Sequence, residues 1–334
     1  MHDSKVTANQ NQGLLNVEIS SNSTLLLDAK KNVRKKKVKK ILRNWELYLF
    51  LLPTLAYFII FHYIPMYGVQ IAFKDFVPSN GIWGSEWVGF KHFTHFFESY
   101  YFWDLIKNTL GISTYELLVG FPLPIILALA INEAKDGLFK RSVQTITYAP
   151  HFISVVVMAG MIIAFLSPAT GVINHLIVAL GFEPIPFMSD PAWFKSVYVF
   201  SGVWQGTGWG TIIYLAALAG VDQQQHEAAI VDGASRLQRI WHINIPSLVP
   251  TMIILLILNV GSILSVSFEK ILLLQNPLNM DSSNVIATFV YKAGLLDAQY
   301  SFAAAVGLFN SVISAILLVV VNQIAKKKSE TSLW

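Results

Sequence analysis

The sequence predicts an all-α integral membrane protein with six transmembrane helices, and three observations carry that prediction. Of its 334 residues, 54% are hydrophobic and 13% charged, and the charges gather in a few short blocks where a soluble surface would disperse them. Six apolar stretches reach the roughly 20 residues a helix needs to cross a hydrocarbon core: 45–72, 105–131, 143–166, 197–220, 248–273 and 302–324. Lys and Arg are unevenly divided between the segments that join them. The tail through Arg43 holds ten, the segment 132–142 three, the segment 222–247 two and the C-terminus three, which leaves six for the opposite face. Such a bias predicts both termini and the 222–247 loop in the cytoplasm.

The organisation follows as a cytoplasmic polar and polybasic tail, 1–43, and a transmembrane domain, 44–334. Residues 1–28 are polar and Ser/Asn-rich without an apolar run ahead of a cleavage site, which reads as a disordered tail and not a signal peptide. The run KKNVRKKKVKK at 30–40 adjoins the first span, so it is expected to lie against anionic lipid headgroups rather than nucleic acid. The outer loop 74–104 is rich in aromatic side chains suited to an interfacial belt. Within it His92, His95 and Glu98 share a helical face, a pattern open to interfacial hydrogen bonding or to a metal. A further apolar run, 171–181, is too short to span and reads as an outer-surface or re-entrant helix. Prolines at 53, 65, 122, 124 and 150 are expected to kink or break helices, as hinges or as packing devices. No cysteine is present, which excludes disulfides, thiolate metal sites and cysteine catalysis.

The polar loop 222–247, DQQQHEAAIVDGASRLQRIWHINIPS, carries its own folding signals. Asp222 with Gln225 reads as a capping box that starts a short helix. Gly233 stands where a left-handed residue stops it, and Ser235 with Gln238 forms a second capping box. Pro246 is expected to end the second helix. The prediction is a helix-turn-helix whose small Ala228 and Ala229 admit close approach of a partner.

Glu227-Ala228-Ala229, three residues, Gly233, nine residues, then Ile243-Asn244-Ile245-Pro246 resembles the EAA loop of membrane subunits of binding-protein-dependent ABC importers. Ile245 departs from the Leu of that pattern, a mild apolar exchange. SEWVGFKHF in the outer loop, YAPHFIS at 148–154 and the segment between the last two spans are similar to maltose-type permeases of the polysaccharide and oligosaccharide subfamily. The resemblance extends over nearly all the chain beyond the N-terminal tail. It implies a permease subunit in a bacterial plasma membrane, coupled through Glu227, Ala228, Ala229, Gly233, Ile243 and Pro246 to a cytoplasmic ATPase. It further implies a second homologous permease subunit, two ATPase subunits and an extracellular sugar-binding protein. No GxxxxGK[ST] loop is present, so ATP and Mg are expected in the partner ATPase and no cofactor in this chain.

A sugar path is expected among polar and aromatic residues inside the spans, because polar groups facing lipid are costly. Candidates are Glu116 after Thr109 and Ser113 in the second span; Trp204, Gln205 and Trp209 in the fourth; Asn259, Ser262, Ser265 or Val266, and Glu269 as a stripe in the fifth; and Asn310 in the sixth. Glu116 reads equally as a buried acid holding helices together, and the Trp rings as bundle packing. Gly202, Gly206 and Gly210 form a small-xxx-small ridge that permits close helix approach. Two other classes fit less well. An ion-coupled secondary transporter would leave the 222–247 loop unexplained and commonly shows internal repeats, of which there is no sign. A membrane enzyme needs a catalytic cluster that the scattered His and acids do not form.

Overall fold

The computed structural model describes residues 43–328 and 331–333; the tail, with the basic run at 30–40, lies outside them. Contacts divide the chain into two compact units, one through Gly68 and one from Val69. In the first, helix α1 (Trp45–Phe58) carries Pro53 and continues through a π-turn at Ile59–Tyr63 into Ile64–Met66. Pro65 has no N–H and its ring crowds the carbonyl four residues back, so a widened turn just before it relieves the clash without ending the helix. The helical run is apolar on every face, as suits lipid.

The second unit opens on a two-residue antiparallel pair, β1 (Lys74–Asp75) with β2 (Glu86–Trp87), the only strands among the described residues. Asp75 stands opposite Glu86, a like-charge pairing that alone would repel. Lys91 Nζ at 2.6 Å and His92 Nε2 at 3.0 Å from the Asp75 carboxylate offset it. His92 and Lys91 open helix α2 (Lys91–Glu98), where the His95 ring lies 4.8 Å from that of Phe302. The His92–His95–Glu98 face is thus used for hydrogen bonds and ring contacts, and no metal-ligand cluster occurs among the described residues.

Helices α3 (Phe102–Gly120) and α4 (Pro122–Glu133) form one 32-residue span with Pro122 at the first position of the second half, where its missing donor is harmless. The expected third span, 143–166, is corrected. Helix α5 (Leu138–Tyr148) turns through Ala149–Phe152 and α6 (Val155–Leu166) leaves at 100°. Pro150 ends the first helix, Ile153 is extended, and Ser154 caps the second by accepting from Val157 N at 3.3 Å. The short apolar run forms helix α7 (Val172–Ala179), and Gly181 beyond it adopts φ +86°.

Helix α8 (Pro191–Ala219), capped by Asp190, is 29 residues long and packs against α3, α4 and α5. After it come α9 (Gln223–Val231) and α10 (Arg236–Arg239). Asp222 caps α9 by accepting from Gln224 N at 2.9 Å rather than through a box with Gln225. Gly233 takes φ +82°, which only glycine adopts at little cost, and the Ser235/Gln238 box is present.

The expected stop at Pro246 is also corrected. The chain passes from α10 through a second π-turn, Ile240–Asn244, into α11 (Ile245–Gly261), so that 26 residues, Arg236–Gly261, run as one helix. Pro246 sits in the first turn of α11, two residues past the π-turn, as Pro65 does past the first. The far end of the expected fifth span breaks as well: α11 stops at Gly261, and α12 (Phe268–Leu274) starts anew. Asn259, Ser262 and their neighbours bond back to carbonyls of the preceding turn, a competition that weakens the helix there. Beyond α13 (Ile286–Tyr291), α14 (Tyr300–Lys328) is the last span.

Among the described residues, four helices are long and apolar enough to cross a membrane, or five if the bent α5–α6 pair is one span. The length of α8 suffices, but its Gly, Gln and Thr content lowers its apolarity. Three apolar clusters hold the second unit: one around Phe194, Tyr198 and Ile271, one around Phe96, Leu105 and Val306, and one around Ile125, Tyr214 and Leu248.

The loop 74–104 allows a pH test. The Lys91 hydrogen bond holds the Asp75 carboxyl below its usual value, and stability gained this way is full above the unfolded pKa of about 3.9 and lost as pH falls through the lowered value. Protection of the amides at 74–87, relative to their intrinsic exchange at each pH, should therefore hold from neutral pH down to about 4 and fall only below. Asp75→Asn should remove that acid transition; an unchanged transition would mean that another group controls the loop.

Candidate functional site

A cavity of about 700 Å³ opens among α3, α4, α8 and α11. Its wall mixes apolar surface from Leu117, Phe121 and Ile213 with polar groups from Ser113, Glu116, Thr207, Tyr214, Asn259, Ser262 and Ser265. Volume and lining fit a small-molecule site.

Of the residues expected on the sugar path, Ser113, Glu116, Trp209, Asn259, Ser262 and Ser265 line this cavity. The others stand elsewhere. Trp204 is half exposed on another face of α8. Gln205 turns to the bend between α5 and α6 and donates to the Ile153 carbonyl at 2.8 Å. Glu269 is exposed on α12, while its neighbour Lys270 is the residue that points inward, 4% exposed. The break at Gly261 resets the helical phase, so the stripe read at continuous spacing holds for Asn259, Ser262 and Ser265, which line the cavity, and fails at Glu269. Asn310 is partly buried on α14, with Oδ1 unpartnered. Thr109, also on α3, is fully buried and accepts from Ile286 N at 3.1 Å.

Lys270 is the residue that sequence reasoning missed. Nζ donates to the Tyr198 carbonyl at 2.7 Å and lies 4.5 Å from the Tyr198 ring centroid. The Tyr198 hydroxyl in turn accepts from Ser267 N at 3.0 Å, which ties the start of α12 to α8. A charged residue inside FEKILLL was the available signal, because an ion among apolar residues in a membrane protein needs a partner.

The glycines of α8 divide their work. Gly202, Gly206 and Gly210 all face the cavity, and a Cβ at Gly206 would meet nothing within 4 Å. The closest approach is at Gly208, where a Cβ would collide with the Thr147 carbonyl. One residue on, Trp209 stacks on His151, centroids 4.3 Å apart and planes 4° from parallel. Gln205, Gly208 and Trp209 together grip the bent segment.

The expected coupling residues sit on α9 and its continuation. Glu227 and Ala228 are exposed and Ala229 half-buried; Ile243 is half-buried in the π-turn and Pro246 exposed. Around them Ile230, Val231, Leu237 and Trp241 are exposed at 55%, 87%, 78% and 69%, an apolar group on an otherwise polar loop. Asn244, the variable position of the motif, is fully buried and donates to Glu133 Oε1 at 3.4 Å, linking the base of this loop to the end of α4.

The family described as "Binding-protein-dependent transport system inner membrane component" matches residues 120–330, which include α8, the polar loop and α11. The chain belongs to this family. It is therefore a multi-pass membrane component of a transport system and not a catalyst. This permease is similar to Protein LplB of Bacillus subtilis (strain 168), 48% identical over 292 residues, covering 87% of this chain and 92% of the relative. It is 43% identical over 305 residues to the polygalacturonan/rhamnogalacturonan transport system permease protein YteP of the same organism, covering 91% and 95%. Among solved structures, a bacterial ABC transporter involved in the import of the acidic polysaccharide alginate superposes on the permease with TM-score 0.81 at 43% identity, covering 87% of this chain and 98% of that one.

Gly208→Ala should destabilise the purified permease by about 1–3 kcal/mol, the usual cost of forcing extra volume into a tight contact. Gly206→Ala should be neutral or stabilising, since Gly inside a helix costs about 0.5–1 kcal/mol relative to Ala. Thermal unfolding in detergent compares them; equal midpoints would dismiss the contact with Thr147 as a packing constraint.

Proposed function

We propose that this permease translocates oligosaccharides handed to it by an extracellular solute-binding protein, with ATP hydrolysis in separate partner subunits driving the cycle. The observation that carries the reading is the cavity within the spans, where hydroxyl, amide and carboxylate groups share a wall with the exposed ring of Trp209. Sugar recognition uses this mixture: oriented polar groups for hydroxyls and an aromatic face for the apolar side of the ring. The carbohydrate systems named for YteP and for the alginate importer support the substrate class. One crystal structure, at TM-score 0.82 and 42% identity, is described as the bacterial alginate ABC transporter in complex with an alginate pentasaccharide-bound periplasmic protein, which supports delivery by such a protein.

In this reading α8 is a sixth span: 29 helical residues are about 43 Å long, more than a hydrocarbon core requires. Both termini and the 222–247 loop are cytoplasmic, on the strength of the Lys and Arg distribution. The loop docks a cytoplasmic ATPase, which holds ATP and Mg, through Glu227, Ala228, Ala229 and Gly233, with Ile243 and Pro246 carrying motion into α11. The exposed Ile230, Val231, Leu237 and Trp241 supply the apolar surface such docking needs. Two ATPase subunits and a second permease subunit complete the assembly.

Glu227→Lys and Gly233→Trp should leave the permease inserted but reduce recovery of the ATPase with it and abolish sugar-stimulated ATP hydrolysis, the first by reversing a charge and the second by blocking the left-handed turn. Wild-type assembly and stimulation in both would remove the loop from the mechanism. The orientation has its own check, eased by the absence of native cysteine. In sealed right-side-out cells an impermeant thiol reagent should label Tyr100→Cys and spare Gln224→Cys; the reverse pattern would invert the topology.

A further inference from the structure

Two polar groups on the cavity wall, Ser113 and Glu116, and a third behind it, Lys270, are only partly satisfied by the fold. Ser113 Oγ is buried with no hydrogen-bond partner. Glu116, three residues on and on the same face of α3, lines the cavity, and its carboxylate has no hydrogen bond or ion pair among the described residues. Lys270, almost fully buried on α12, gives one hydrogen bond to the Tyr198 carbonyl although an ammonium carries three donors. Burying an ion with so few partners is costly, and a purely structural pair would close into direct contact.

Gly202 marks where these groups meet. A Cβ there would stand 3.1 Å from Lys270 Nζ and 3.4 Å from Glu116 Oε1. Lys270 is buried and does not itself line the cavity, and at Gly202, which does, no side chain stands between the cavity and its ammonium. A neutral sugar ring suits this arrangement. Of two adjacent hydroxyls, one accepts from Lys270 and the other donates to Glu116, with Ser113 as a further partner. An acidic sugar would bring its carboxylate against that of Glu116.

We propose that Ser113, Glu116 and Lys270, reached past the bare backbone of Gly202, form a subsite for two adjacent hydroxyls of one neutral sugar residue. This rests on the oligosaccharide reading and adds the chemistry of one end of the cavity. Lys270 acts there as a specificity-determining residue.

The test uses the permease assembled with its native partner subunits in lipid nanodiscs, with equilibrium binding of three radiolabelled probes: galactotriose, its fully O-methylated form and trigalacturonate. The wild type should bind galactotriose and lose most affinity for the methylated form. Glu116→Ala and Lys270→Met should each weaken galactotriose binding about tenfold or more, the scale of one hydrogen bond to a charged group, and Ser113→Ala a few-fold. Lys270→Arg and Glu116→Gln should restore most of the binding. Gly202→Ala should weaken it without removing any charge, and the cavity's apolar wall is untouched by all these changes. In case Lys270→Met fails to assemble, Gly202→Ala and Glu116→Gln keep the idea testable. Unchanged discrimination between galactotriose and its methylated form in assembled Glu116→Ala and Gly202→Ala would overturn the subsite while leaving sugar transport intact. Binding of trigalacturonate alone, lost in Lys270→Met and strengthened in Glu116→Gln, would overturn it by making Lys270 the counter-ion of a sugar carboxylate. Failure of the wild type to bind any of the three, with none taken up by cells, would sink the oligosaccharide reading itself and the subsite with it.

Discussion

A main-chain group freed from its helix has nothing to bond to in hydrocarbon, and this constraint governs how the protein can interrupt its spans. Interruptions occur near Pro65, Pro122, Pro150, Pro246 and Gly261. At Pro122, the first residue of its helix, the missing donor leaves nothing to satisfy, and each of the others is met by a particular device. Widened turns precede Pro65 and Pro246, the Gln205 amide reaches the Ile153 carbonyl, and the Tyr198 hydroxyl takes the Ser267 N–H. Asn108 serves the same end between α3 and the segment before α13, donating to the carbonyls of Asp281 and Asn284. Many polar side chains within the apolar segments are therefore occupied by the backbone, which leaves few for a solute.

Helix α8 shows the two uses of glycine in one element. At Gly208 the missing side chain lets another main chain touch the helix, and at Gly206 it leaves room that no protein atom fills. The two positions are half a turn apart, so one helix presents a grip on one side and a void on the other. Trp209 joins them, stacked on His151 while also lining the cavity.

What the sequence made legible was whatever depends on short-range chemistry. Asp222, Gly233 and the Ser235/Gln238 box mark their helix ends in the structure because a cap needs only its own few residues. The helical class and most span positions followed from apolar length alone. Breaks were less legible, because a proline has two outcomes: Pro150 ends a helix where extended backbone can be capped and held by Gln205, whereas Pro246 is absorbed by a π-turn whose cost only surrounding packing can repay. The site suffered most from this. A stripe drawn at constant pitch through Gly261 chose Glu269 and passed over Lys270, since a break changes the phase of everything after it.

The continuity of Arg236–Gly261 makes this segment a lever. Trp241, exposed near one end, and Asn259, on the cavity wall near the other, are eighteen residues apart on a single rod, or about 27 Å at 1.5 Å per residue. Tilting such a rod by about 10° about one end carries the other through roughly 5 Å, near the width of a sugar ring, with no helix melted along the way. Were the segment to tilt as one body, the wall of the cavity would follow by leverage, because the π-turn before Pro246 keeps the helix unbroken.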